Sequence, residues 1–270
     1  IKARIQADEG VQAKEREVSE AVEEWWHENE PPIAALPETQ ELMKLRTQLL
    51  DTFEQSLRPV GMLDRFQVAG VVARWWGEVQ NDLKTIGARG FSGLVEAWET
   101  SILTAMQDKN SKVDPLEHKL VKRLLPEYLA DLSELEAKKA ELDAAIKAAG
   151  SDDEEDDAEE QLSEEDITAT KNELKAVKGE LKTKEGHFKE RLQEARASLG
   201  EGEARELALG ILRADLEAIL DRYVAEHRQK VTASFDGWWD KYRVTLTDIE
   251  SERDTAAGKL REFLGGLGYA

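Results

Sequence analysis

The stretch from Gly61 to Met106 has the densest apolar pattern in the chain. Val72, Trp76, Val79, Leu83 and Ile86 step by four, three, four and three, which places them on one face of an α-helix. Gly87 is expected to end that helix, because glycine takes the left-handed conformation a C-terminal cap needs. Phe91, Leu94, Val95, Trp98, Ile102 and Met106 then form a second helix with its own stripe. Bases (Arg58 just before the stretch, Arg65, Arg74, Lys84, Arg89) and acids (Asp64, Glu78, Asp82, Glu96, Glu99) balance here. The segment reads as the buried heart of a helical body.

The flanks extend the same reading. Residues 1–30 are helical in pattern but polar, with few anchors before Trp25 and Trp26, so that helix needs something to lie against. Pro31, Pro32 and Pro37 mark a connector. Leu42, Leu45, Leu49, Phe53 and Leu57 form a helix ending at Arg58-Pro59. After a polar turn, Pro115 suits the first turn of another helix. From Leu125 the stripe narrows to Leu125, Leu129, Leu132, Leu135, Leu142, Ile146 and Ala149. Ile167, Leu174, Leu181, Phe188 and Ala195 then recur every seven residues, with Val177 between. A strict heptad keeps one seam against a partner helix, so the two stretches make an antiparallel hairpin, loosened where Lys184 and Arg191 adjoin the seam. Glu201-Gly202 breaks the arm. Leu212, Leu216, Ile219, Tyr223, His227, Val231, Phe235, Trp238 and Tyr242 run on as a long helix with an aromatic end. Thr247-Asp248-Ile249-Glu250 has capping-box spacing and opens a last helix, terminated at Gly265–Gly268.

The expected fold is therefore all-α: a helical bundle body with a projecting antiparallel coiled-coil hairpin. Residues 1–124 supply the N-terminal helices and core, 125–200 the arm with an acidic loop at 151–166, and 201–270 the C-terminal helices packing back on the core.

Composition excludes several chemistries. The 270 residues contain no cysteine, which removes disulfides, thiolate metal sites and cysteine nucleophiles and fits a reducing cytoplasm. No apolar run approaches the roughly 20 residues of a membrane span, and no signal peptide opens the chain. The chain begins at Ile1 rather than Met, as a fragment with its upstream part missing would. Acids outnumber bases 57 to 37, a net charge of −20. Eleven of those carboxylates lie in 151–166, where no base occurs, so the remainder carries about −9. An acidic surface disfavours broad nucleic-acid binding but leaves room for a local contact. The acidic run itself reads as a solvated loop, or as an electrostatic decoy for a basic partner.

Few residues invite a chemical role. Glu24 and His27 have the Glu-x-x-His spacing of a di-iron ligand pair, but such sites need two of these motifs and there is one. Asp114 and His118 are a helical turn apart and read as a cap beside a surface histidine. His187 and His227 are isolated, and no four-ligand zinc spacing exists. Gly265–Gly268 follows a helix instead of opening one, unlike a phosphate cradle; Gly87–Gly93, near Arg89, lacks a preceding strand and reads as an interhelical turn. The pairs Trp25-Trp26, Trp75-Trp76 and Trp238-Trp239 are the oddest feature. Adjacent helical residues point about 100° apart, so each pair either straddles a core edge or turns one ring to a docking surface, where tryptophan dominates.

At Phe66–Trp98 the string FQVAGVVARWWGEVQNDLKTIGARGFSGLVEAW resembles the region after the catalytic domain in modification (M) subunits of type I restriction–modification systems. The ending WWDKYRVTLTDIESERDTAAGKLREFLGGLGYA resembles the C-terminal end of the same proteins. The catalytic part of such subunits is an S-adenosylmethionine-dependent adenine-N6 methyltransferase with a glycine-rich cofactor motif and an Asn-Pro-Pro-aromatic motif. Neither occurs here, the only Pro-Pro being Glu30-Pro31-Pro32-Ile33. The resemblance thus implies a non-catalytic C-terminal part, inactive alone, with the S-adenosylmethionine site upstream of Ile1. It implies docking to the specificity (S) subunit, with the restriction (R) subunit as a further candidate, and DNA reached through the complex. The residues expected to meet the partner are Trp238, Trp239, Tyr242, Leu260 and Phe263. The alternative is a stand-alone structural coiled-coil module that homodimerises through the 167–195 seam.

Overall fold

The computed structural model describes residues 2–108, 111, 114–149 and 164–267. All regular structure among them is helical: α1 (Lys2–Gln6), α2 (Glu9–Ala34), α3 (Leu36–Thr39), α4 (Leu42–Leu57), a 3-10 turn (Arg58–Val60), α5 (Arg65–Gln107), α6 (Lys119–Leu124), α7 (Pro126–Ala149), α8 (Glu164–Ala197), α9 (Glu201–Tyr242) and α10 (Leu246–Gly266). The chain is all-α, a bundle of packed helices. Of the acidic loop expected at 151–166, residues 151–163 lie outside the described residues, and 164–166 open α8.

Two compact units divide the chain. One comprises Ile1–Asn29, Arg46–Gly77 and Leu216–Ala270, the other Glu30–Leu45 and Glu78–Asp215. In the first, Val18, Val22, Trp25 and Trp26 of α2 are buried, as are Leu49 and Phe53 of α4, Val68, Val71, Val72 and Trp75 of α5, and Leu216, Ile219 and Leu220 of α9. Trp25 meets Phe53 edge-on at 5.0 Å and Trp75 at 6.1 Å between centroids, the arrangement that opposes a ring's positive edge to another's negative face. Its indole N–H donates to Thr52 Oγ1 at 2.9 Å. Asn29, buried as well, donates to the Trp25 carbonyl at 2.9 Å, so this polar group inside the core is satisfied.

In the second unit, Val79, Leu83, Ile86, Phe91, Leu94, Trp98 and Ile102 of α5 are buried together with Ile33, Leu36, Leu120, Val121, Leu209 and Leu212. The helices α7 and α8 pair antiparallel. Lys138 meets Glu173 at 2.7 Å, Asp143 meets Lys178 at 3.2 Å, Asp131 meets Lys184, and Tyr128 stacks near Phe188 at 5.9 Å. The seam is shallow: Leu132, Val177, Leu181, Phe188 and Leu192 are buried, while Leu125, Leu135, Leu142, Ile167 and Leu174 are half-buried.

Five local expectations move. Gly87 does not end a helix; the break within α5 is Gly90, at φ 72° and ψ −177°, a backbone region only glycine enters freely. A Cβ on Gly87 would instead meet Leu36 Cγ at 3.6 Å. Pro31 and Pro32 lie inside α2 rather than in a connector. They fall in its last turn, where each forfeits the bond its N–H would make to the carbonyl four residues back, and Ile33 and Leu36, both buried, hold the chain there; Ala35 N still bonds Pro31 O at 2.9 Å. Pro115 opens no helix: α6 starts at Lys119 with His118 as N-cap, and Pro126 opens α7. The break after α8 is Leu199-Gly200, where Gly200 N donates to Glu203 Oε2 at 2.8 Å, and Glu201-Gly202 belongs to the first turn of α9. The capping box is Thr245 with Asp248, two residues before the expected Thr247–Glu250.

Candidate docking surface

The aromatic end of α9 follows from its spacing. Val231, Phe235, Trp238 and Tyr242 step by four, three and four, so they share one face. A stripe of this kind ordinarily lies on a core, yet Phe235, Trp238, Trp239 and Tyr242 are all exposed, the two indoles at 56% and 63%. The turn that follows is built by the cap: Asp248 N donates to Thr245 Oγ1 at 3.2 Å while Thr245 N donates to Asp248 Oδ2 at 2.9 Å. The Thr245 hydroxyl, donating to Asp248 Oδ2 at 2.7 Å, and then the Thr245 N–H hold the Asp248 carboxyl below its ordinary pKa. The helix they start presents Ile249, Leu260, Phe263, Leu264 and Leu267, every one exposed. The five residues expected to meet a partner, Trp238, Trp239, Tyr242, Leu260 and Phe263, thus all face outward in one unit.

The other tryptophan pairs behave differently. Trp25, Trp26, Trp75 and Trp76 are buried, and Arg46 sits 5.9 Å from the Trp76 ring centroid. Four indoles build a core, and two remain outside it.

Glu24 and His27 are exposed on α2, on the side away from Trp25. Asp114 Oδ1 accepts from Leu116 N at 2.9 Å, closing a turn, while His118 Nδ1 accepts from Leu120 N at 3.1 Å as the N-cap of α6. Arg89 is committed to Glu96 at 2.6 Å. Among the described residues no group of three or more acids and histidines could hold a metal, and no helix is long and apolar enough to cross a membrane.

Sequence reasoning missed one charged cluster. Lys119 Nζ lies 2.7 Å from Asp82 Oδ2 and 2.9 Å from Asp215 Oδ2, and Trp98 Nε1 donates to Asp82 Oδ1 at 3.0 Å. The ammonium also sits 4.9 Å from the Trp98 ring centroid. Burial alone would lower the Lys119 pKa; the hydrogen bonds to both carboxylates outweigh it and raise the value. Asp215 is raised by burial first, and by Asp82 and Glu78 beside it, more than Lys119 lowers it. One lysine therefore serves two carboxylates, and the site keeps an excess negative charge. These partners are 37 and 96 residues apart in sequence, and nothing local marks them. An open cleft of about 890 Å³ lies in the same unit between α6, α7 and α8, at the place where Lys184 and Arg191 interrupt the seam. Its walls mix Arg123, Lys184 and Arg191 with Asp131 and Glu190, and the Tyr128 hydroxyl donates to the Lys184 carbonyl at 2.8 Å.

No protein-family model, curated protein or solved structure matches this chain.

Proposed function

We propose that this chain is the non-catalytic C-terminal part of a type I restriction–modification M subunit, docking the specificity subunit through the end of α9 and α10. The observation that carries the reading is the row of large apolar residues left in solvent on those two helices. Aromatic residues of this size bury about 150–250 Å² each. At the exposures seen, Trp238, Trp239, Tyr242, Leu260 and Phe263 together offer several hundred Å², of the order of one side of a standard interface. Scattered single hydrophobics need no partner, but Phe235, Trp238 and Tyr242 recur on one face of α9, and exposed aromatics at that spacing are what a partner helix would cover.

In this reading S-adenosylmethionine belongs to a methyltransferase domain outside the chain, the partner reads the DNA sequence, the R subunit joins the same assembly, and the setting is the cytoplasm. The rival, homodimerisation through the 167–195 seam, is disfavoured because Val177, Leu181 and Phe188 are already buried where α8 pairs with α7.

Co-purification with a cognate specificity subunit tests the proposal. The triple substitution W238A/Y242A/F263A should abolish it while leaving the helical circular-dichroism signal intact, since none of the three side chains is buried. Retention of the partner by that variant would overturn the docking assignment. Deleting residues 125–200 asks separately whether the arm takes part.

A further inference from the structure

The outer face of α8 carries a charge pattern opposite to that of the chain as a whole. At 100° per residue, Lys171, Lys175, Lys178, Lys182 and Lys189 fall within about 60° of one another on the helix, and all five are exposed. Of the acids in the same interval, Glu173 and Glu180 lie on other faces, Glu173 paired to Lys138, and Glu185 borders the row. Lys178 reaches Asp143 at 3.2 Å. Lys171, Lys175, Lys182 and Lys189 hold no ion pair among the described residues. Like charges at i and i+4, as in Lys171/Lys175 and Lys178/Lys182, cost a helix a few tenths of a kcal/mol per pair. Glu185, four residues before Lys189, and the Lys178–Asp143 pair offset part of that cost, and no ion pair relieves Lys171 or Lys175 among the described residues.

A second observation lies on the same flank. Gly179 and Gly186 alternate with the lysines in the row Lys175, Gly179, Lys182, Gly186, Lys189. Both are helical and exposed, and a Cβ added to either would meet nothing within 4 Å. Glycine inside a helix costs about 0.5–1 kcal/mol relative to alanine. Neither backbone conformation nor internal packing requires it at these two positions. What a glycine leaves open is close approach of another molecule's backbone.

We propose that the Lys171–Lys189 face of α8 is a contact surface for the phosphate backbone of double-stranded nucleic acid. The row extends about 27 Å at 1.5 Å rise per residue, most of one duplex turn. From Lys171 to Lys182 the lysines recur every three or four residues, about 5–6 Å, near the spacing of phosphates along a strand; Lys189 follows seven residues on, with Gly186 between. The contact carries no sequence information; phosphate contacts position and base contacts specify. The net charge of −20 does not forbid it. Lys182 and Lys189 lie about 24 and 35 Å along the helix from Asp166, more than two Debye lengths at 0.1 M salt, where that length is about 10 Å, whereas Lys171 is about 7.5 Å away and within one. The lysine face and the docking surface of α9 and α10 are in different units, so either assignment can fail without the other.

Fluorescence anisotropy of a labelled 20-base-pair duplex of arbitrary sequence, titrated with the full 270-residue chain, tests the proposal. With about four phosphates engaged, log K should fall against log salt with a slope near −3.6, so binding weakens about a hundredfold between 50 and 200 mM salt. The variant K175Q/K182Q/K189Q should flatten that slope by about 2.7. K44Q, which removes an exposed lysine elsewhere, should not change it. The variant G179A/G186A should raise helix stability yet weaken duplex binding severalfold, a split that a merely structural role would not produce. Absence of binding at 50 mM salt, or an unchanged slope in the triple variant, overturns the proposal. So does displacement of the duplex by polyglutamate at lower charge concentration than by unlabelled duplex, which would assign the face to an acidic protein. Binding that appears only on deletion of 151–163 overturns it too, because the chain's own acidic run would then be the occupant.

Discussion

Replacing Lys119 by methionine removes the one cation between Asp82 and Asp215 while keeping an unbranched stem over Trp98. The two carboxylates are 18% and 26% exposed at their side chains, so little water is available to replace the ammonium. Removing one partner of a buried ion pair costs about 3–5 kcal/mol. Residual solvation here, and the freedom of one carboxyl to take up a proton, reduce that to about 2–3 kcal/mol at neutral pH. The sign with pH follows from linkage. In the variant Asp215, whose carboxyl burial already raises, loses the cation that opposed the rise and keeps an anionic neighbour, so its folded-state pKa moves further above the unfolded one. Such groups destabilise the fold when ionised, and the penalty fades as pH falls through the folded pKa. Urea denaturation followed by circular dichroism at pH 8 and pH 5, on Lys119→Met and on the parent, measures it. The loss should be about 2–3 kcal/mol at pH 8 and clearly smaller at pH 5, and adding D215N should recover most of it. An equal loss at both pH values would refute the electrostatic account and leave packing and the cation–π contact as the cause.

Three further outcomes follow from single contacts. His118 has its pKa lowered chiefly by burial and then by Lys119, and its Nδ1 must be unprotonated to accept from Leu120 N; stability should therefore fall as pH drops below the unfolded histidine value of about 6.5, and H118N, which keeps a capping acceptor, should remove that pH dependence in denaturant melts. Trp25→Ala should cost about 3–5 kcal/mol, because the side chain is fully buried against Phe53 and Trp75, and thermal unfolding measures it. Gly70→Ala would bring a Cβ to 2.7 Å from Tyr223 Oη, costing about 1–3 kcal/mol of overpacking; combining it with Y223F, which deletes that oxygen, should recover most of the loss in a double-mutant cycle.

Periodicity made the elements legible because it reflects burial, and burial is what the bundle is built from. The stripe Val72–Ile86 is buried as its spacing requires, and Leu42–Leu57 is the helix α4. Punctuation was harder to read, since a proline or glycine signals a break only where tertiary contacts do not override it. Pro31-Pro32 sits between buried Asn29 and buried Ile33 and Ala34, so tertiary packing on both sides holds the helix through the two prolines. At Gly87 the backbone stays helical and an added Cβ would make only ordinary contact with Leu36, while the positive φ falls to Gly90 three residues on. The capping box illustrates the same limit at finer grain, because Thr245 and Thr247 both precede an acid by three residues, and only the chain's path selects Thr245. The Asp82–Lys119–Asp215 cluster was illegible for a different reason: its members are common surface residues brought together only by packing.

The three tryptophan pairs show how sequence alone understates a surface. As dipeptides they are identical, and helical geometry separates the two rings of each by the same angle. What separates buried Trp25-Trp26 and Trp75-Trp76 from exposed Trp238-Trp239 is the company of other elements. The first two pairs meet each other, with Trp26 and Trp75 at 6.3 Å. Among described ring contacts, the last pair has only Phe235, at 5.2 Å from Trp238 on the same helix. A local aromatic pair cannot desolvate two indoles, so their transfer free energy, about 25 cal/mol per Å² of apolar area, stays unrealised in the isolated chain. The same reasoning in electrostatic form holds for the lysine face of α8, where four of the five lysines hold no ion pair among the described residues and Glu185 alone borders the row. In both places the helix carries a cost that the unit offsets only in part, and both costs would be relieved by a second molecule of the matching character: an apolar helical surface at α9 and α10, and a regular polyanion at α8.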